Sequence, residues 1–94
     1  MLVISYDISD DRLRTKFSKM LTKYGAVRLQ YSVYEVNNTN RIINNLIVMI
    51  EETFAKKFDG GDSVIIFDVS GIKLKKYGNA IHRDKDIWFI RHFE

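Results

Sequence analysis

A chain of 94 residues folds as one domain around one core, which excludes a multidomain enzyme and leaves little interior for an enclosed active site. Hydrophobic residues make up 46% and charged residues 29%, too apolar for a disordered chain, and the absence of cysteine removes disulfides, thiolate catalysis and cysteine metal sites. Fifteen basic against twelve acidic residues give +3, a mild excess whose distribution says more than its size.

Residues 2–6 (LVISY) read as a short buried strand ending at Asp7. Ser9, Asp10 and Asp11 supply N-cap candidates and first-turn acids for a helix over 11–24. Leu13, Phe17, Leu21 and Tyr24 make its apolar stripe, and Gly25 stands where the helix should end. From Ala26 to Val36 the pattern has a period of two. Val27, Leu29, Tyr31 and Val33 fall on one face of a single half-buried strand, with Arg28, Gln30, Ser32 and Tyr34 on the other. A polar turn at 37–40 precedes a second amphipathic helix marked by Ile43, Leu46, Ile47, Ile50, Phe54 and Phe58, which Gly60-Gly61-Asp62 ends.

Val64-Ile65-Ile66-Phe67 is a continuous apolar run, expected to be a strand covered on both faces. Residues 72–77 alternate as an outer strand, residues 78–86 read as a polar loop, and 87–90 (IWFI) read as a last strand. The expectation is therefore an α+β sandwich: an open sheet with two helices on one face. Its other face would be only partly covered, and Trp88 and Phe93 would suit a second copy packing there or exchanging an edge strand. The opening MLVISYDISDD is too short an apolar run for a signal peptide, and no stretch approaches the roughly 20 apolar residues of a membrane span, so a cytoplasmic protein is expected.

Residues 12–23 carry Arg12, Arg14, Lys16, Lys19 and Lys23 without one acid. Arg12, Lys16, Lys19 and Lys23 step by four, three and four, forming a positive ridge. Such a ridge reads as a solvated face or as a phosphate-binding surface, and the missing acids favour binding. Asp7, at a strand end, reads as a hard-oxygen metal ligand or as a cap on the following turn. Asp10 and Asp11 are better explained by capping. The two histidines, ten residues apart, make no metal cluster.

The segment 6–14 (YDISDDRLR) and the segment 28–35 (RLQYSVYE) together resemble the CRISPR-associated endoribonuclease two family of small spacer-acquisition proteins. The likeness runs over the whole chain. It implies a ferredoxin-like subunit, 1–94 as a single domain, with 86–94 a C-terminal strand and tail added to the partner of a homodimer. It also implies a nucleic-acid-binding scaffold that bridges the CRISPR integrase on the double-stranded DNA of a spacer precursor. Mg²⁺-dependent endonuclease activity on single-stranded RNA or on DNA is implied beside it.

Carried onto this sequence, Asp7 is the metal ligand, and Tyr6, Asp7, Arg14, Arg28 and Tyr34 are the catalytic set. Lys16 matches a position linked to the same activity. Arg12, Arg14, Lys16, Lys19 and Arg83 are the nucleic-acid-binding set, Arg83 lying in the loop after Tyr77-Gly78-Asn79. The competing reading is a ferredoxin-like interaction or regulatory module with no integrase partner.

Overall fold

The computed structural model of the chain describes residues 1–83, with the side chains of 81–83 excepted. The expected C-terminal strand at 87–90, the tail 86–94 and the Arg83 side chain lie outside the described residues.

Strand β1 (Leu2–Asp7) alternates as its sequence does: Leu2, Ile4 and Tyr6 are buried, and Val3 and Ser5 turn to the other side. Helix α1 (Asp11–Lys23) begins at the N-cap Asp10, whose Oδ2 accepts the Leu13 backbone N–H at 2.7 Å. Gly25, at φ +87°, ends it in the left-handed conformation, and the Ala26 N–H closes back onto the Leu21 carbonyl at 3.1 Å. A side chain at Gly25 would also meet Asn38 Nδ2 at 2.9 Å, where that amide caps the Tyr24 carbonyl.

The stretch expected as one strand is two. β2 (Val27–Gln30) and β3 (Val33–Val36) form an antiparallel hairpin about Tyr31 and Ser32, with Arg28 opposite Tyr34 and Gln30 opposite Val33. Ser32 sits at φ +71°. Two-residue hairpins are announced by Asn-Gly, Asp-Gly or Gly-containing turns, and Tyr-Ser carries no such signal. The register slips by one residue between Arg28 and Gln30, so Leu29 is the extra residue of a β-bulge.

Helix α2 (Asn40–Met49) is capped by Thr39, whose Oγ1 accepts from the Ile42 N–H. It widens into a π-helical turn (Ile50–Phe54) and tightens into a 3₁₀ turn (Ala55–Lys57), which keeps Ile50 and Phe54 on the core. β4 (Ser63–Asp68) pairs antiparallel with β1. The sheet order β2-β3-β1-β4, with connections β-α-β-β-α-β, is the ferredoxin-like arrangement.

Both helices lie on one face, as expected. An aromatic chain fastens them there: Tyr34 stacks on Tyr6 at 6.1 Å, Tyr6 meets Phe17 edge-on at 4.8 Å, and Phe17 meets Phe54 at 5.2 Å. Such pairs contribute about 0.5–1.5 kcal/mol each beyond the area they bury.

The other face departs from expectation in two places. The run Val64–Phe67 is a strand, but an edge strand among the described residues, with Ile65 53% and Phe67 49% exposed. An apolar run reports the preference for cover; it does not say that the same chain supplies it. Residues 72–77 form no strand. They cross the open face above Val3, Leu29 and Val33, and Lys76 Nζ pairs with Glu35 Oε1 at 2.6 Å. A 3₁₀ turn (Gly78–Arg83) then sits against β2.

Candidate nucleic-acid interface

The bulge decides which side chains meet. Without it, Tyr31 would share a face with Leu29 and Val33; with one residue inserted, Tyr31 returns to the helix side beside Arg28. A surface cleft of about 260 Å³ opens there between α1 and the hairpin. Arg14, Lys19 and Arg28 line it with Tyr6, Ser18 and Tyr31, and among the described residues no acid contributes to its wall. The Arg28 guanidinium lies 5.1 Å from the Tyr31 ring centroid, a cation–π contact.

Arg14 is anchored at its rear. Its Nη1 donates to the Ile8 carbonyl at 3.0 Å, and its Nη2 pairs with Asp11. Asp11 first, and Tyr31 after it, hold this guanidinium in its charged form above the ordinary arginine value. Tyr6 lies at the cleft's inner wall. Burial, then the neighbouring Tyr34, push its phenol above its ordinary value, so it stays a neutral donor at physiological pH. Tyr34 is buried, and its hydroxyl contacts Ser18 Oγ at 2.5 Å. Tyr34 backs Tyr6 and ties α1 to β3.

The ridge of α1 lies as the helical spacing requires, with Arg12, Lys16, Lys19 and Lys23 all exposed. None pairs with an acid among the described residues. Lys19 carries the ridge into the cleft, whereas Lys16 and Arg12 stay outside it. Asp10 and Asp11 take the capping and first-turn places foreseen for them. Ser9 is not the N-cap: its N–H and its hydroxyl both donate to Asp62 Oδ1, at 2.9 and 3.0 Å. Together with the Asp59 N–H, these bonds hold the Asp62 carboxyl below its ordinary value and clamp the loop after β1 to the turn before β4.

Asp7 stands apart from the cleft. It is exposed at the end of β1, opposite Ser63, and strand alternation separates it from Tyr6. Among the described residues no three carboxylate or imidazole groups gather as a metal site. The Asp7 carboxylate is an oxygen donor of the hard type that Mg²⁺ takes. The residues that sequence reasoning placed on the wrong face are Gln30, which the bulge sets opposite Val33, and Tyr31. A bulge has no reliable signature in a run that alternates so cleanly.

The family model for "CRISPR associated protein Cas2" matches residues 1–77. The chain belongs to the Cas2 family. A Synechocystis sp. protein named CRISPR-associated endoribonuclease Cas2 3 is 33% identical over 88 residues, 94% of this chain and 83% of that protein. A Methanospirillum hungatei protein named CRISPR-associated endoribonuclease Cas2 2 is 36% identical over 72 residues, 72% of this chain and 71% of its own length. Among solved structures, a hypothetical protein from Thermus thermophilus superposes with a TM-score of 0.61 at 29% identity, covering 82% of this chain and 90% of that one. The Cas2 match takes in every residue of the cleft. No helix among the described residues is long and apolar enough to cross a membrane.

Proposed function

We propose that this Cas2-family chain is a CRISPR-associated endoribonuclease whose binding surface is the cleft between α1 and the β2–β3 hairpin. The observation that carries the reading is the convergence of Arg14, Lys19 and Arg28 with Tyr6 and Tyr31 in a wall free of acids among the described residues, continuous with an exposed basic ridge. Cations gathered in one cleft neutralise the phosphates of a polynucleotide, and two guanidiniums offer forked donors to phosphate oxygens. The neutral Tyr6 phenol adds a hydrogen-bond donor at the inner wall.

Asp7 would hold one position of a Mg²⁺ ion, and a second copy of the chain would bring a second carboxylate. The ion would supply charge neutralisation at the scissile phosphate and a more acidic bound water. The chain's own residues bind and orient the strand: Arg14 and Arg28 at flanking phosphates, Lys16 and Arg12 along the ridge, and Arg83 beyond the described side chains.

Cleavage of labelled single-stranded RNA by the purified protein tests this. Arg28→Ala should lower the rate by about 100-fold or more, the scale of losing one preorganised charge donor. Asp7→Ala should abolish Mg²⁺-dependent cleavage. Variants that cleave as well as the wild type would point to a contaminating nuclease and remove both residues from the mechanism.

The finer role, a homodimeric scaffold that bridges the CRISPR integrase on double-stranded DNA, is favoured by β4. Its outer edge has no partner strand among the described residues, and Ile65, Ile66 and Phe67 are exposed beside it. We propose that residues 86–94 of a second copy add there. Deleting 86–94 should convert a dimer to a monomer in sedimentation analysis. An Asp7→Ala protein that loses cleavage while spacer acquisition continues would separate the two roles. Failure to associate with the integrase, with acquisition surviving deletion of the gene, would leave the interaction-module reading.

A further inference from the structure

Tyr31 is exposed to 70%, although it follows directly on β2 and touches a cation. It is held at the tip of a tight turn whose next residue, Ser32, adopts φ +71°, a conformation costly for a residue other than glycine. The turn is fixed from two sides. The Tyr6 N–H donates to the Ser32 carbonyl at 3.0 Å, and the bulge at Leu29 re-aims the strand end toward α1. Arg28 lies against one side of the ring, and the exposure leaves ring surface open to solvent over the cleft.

The cleft's 260 Å³ lies just under the range of roughly 300–1,000 Å³ usual for small-molecule pockets, and it is open rather than enclosed. That space, walled by three cations, suits one unit of a chain better than a free ligand. A base paired in a duplex cannot offer its face to a side chain without leaving the stack, whereas an unpaired base can.

Resting on the endoribonuclease reading above, we infer that Tyr31 is a base-stacking residue: the cleft takes one unpaired nucleotide, its base on the open side of the Tyr31 ring and its phosphates among Arg14, Lys19 and Arg28. Arg28 then serves twice, as a phosphate ligand and as the backing that keeps the ring in place. The site selects unpaired nucleic acid by presenting a flat apolar surface that a duplex cannot use.

The test is equilibrium binding of a fluorescein-labelled single-stranded RNA, of a hairpin duplex of the same composition, and of an abasic ribose-phosphate chain of the same length. Tyr31→Ala should weaken binding to the single strand by about 5- to 150-fold, the range for losing one aromatic stacking partner. Duplex binding and the salt dependence should be unchanged, because stacking releases no counterions. Lys19→Ala should instead lower the salt slope by about 0.7 on the single strand. Tyr31→Phe should bind as wild type, since the ring is kept. The wild type should prefer RNA over the abasic chain, and Tyr31→Ala should narrow that preference.

Tyr31→Ala binding within about twofold of wild type overturns the inference while leaving the cleft as the binding surface. Tyr31→Phe falling as far as Tyr31→Ala also overturns it, because the hydroxyl beside Arg14 would then be the active part. A wild-type protein that binds neither strand nor duplex overturns the endoribonuclease reading itself, and this inference with it.

Discussion

Both faces of the sheet carry apolar residues, and those residues end in different states. On the helix side, Leu2, Ile4, Tyr6, Tyr34 and Val36 are buried by Phe17, Leu21, Leu46 and Phe54. On the open side, Ile65 and Phe67 remain in solvent, and residues 72–80 cover only the part over Val3, Leu29 and Val33. The difference teaches that, among the described residues, burial is completed on one face and only begun on the other. A helix-side aromatic is therefore worth its packing in a single copy, while an open-face aromatic gains value only when something else covers it.

The sharpest test of that contrast pairs two phenylalanines. Phe17→Ala should cost about 3–5 kcal/mol of unfolding free energy in urea, the usual loss for a fully buried aromatic. Phe67→Ala should stay within about 0.5 kcal/mol at dilute protein. If Phe67→Ala also lowers Tm at high concentration, where the wild type becomes more stable, a second copy is the cover; a concentration-independent Tm for both proteins would break that account.

The ion pair on the open face should come next. Glu35 and Lys76 are only 12% and 13% exposed, so Lys76→Ala leaves a carboxylate poorly solvated and should cost about 1–3 kcal/mol. A double-mutant cycle with Glu35→Ala measures the coupling, and a value near zero would mean that the covering segment is held by its apolar contacts alone.

Ser32→Gly relieves the left-handed turn that aims Tyr31 and should stabilise the fold by about 1 kcal/mol. The added backbone freedom should at the same time weaken single-strand binding. A variant that is more stable and binds equally well would show that the strain is not used for aiming.

The smallest effects appear in the pH dependence. Tyr6 binds its proton more tightly folded than unfolded, so its contribution is complete below the ordinary tyrosine value of 10.0 and is lost as pH rises through the higher folded value. Tyr6→Phe should flatten that alkaline arm of the stability profile. Asp62 has the opposite sign: its stabilisation is complete above 3.8 and fades as pH falls through its lowered value, an acid arm that Asp62→Ala should remove.

Much of this was legible in the sequence because it is written in local spacing. Leu13, Phe17 and Leu21 recur at the period of a helix, Gly25 stands where only a residue free of Cβ strain ends it comfortably, and the acid-free ridge keeps its helical step. Each depends on neighbours a few residues away. The resemblance in 6–14 and 28–35 pointed to the Cas2 family that the match over 1–77 shows. The reading from spacing alone, however, missed one strand of the ferredoxin-like order.

What only the tertiary structure decided is pairing. Whether 26–36 runs straight or folds on itself depends on whether β3 finds β1, and the Tyr6–Ser32 bond with the β1–β3 ladder outweighs an unfavourable turn residue. Whether 64–67 is covered, and whether 72–77 is a strand, likewise depends on partners far along the chain or on a second molecule. The placement of Tyr31 beside Arg28 and Arg14 follows from a single inserted residue at Leu29, because strand side chains alternate with a period of two and one extra residue changes the face of everything after it. Composition and periodicity determined which residues seek cover and which carry charge. The long-range ladder chose which of them meet.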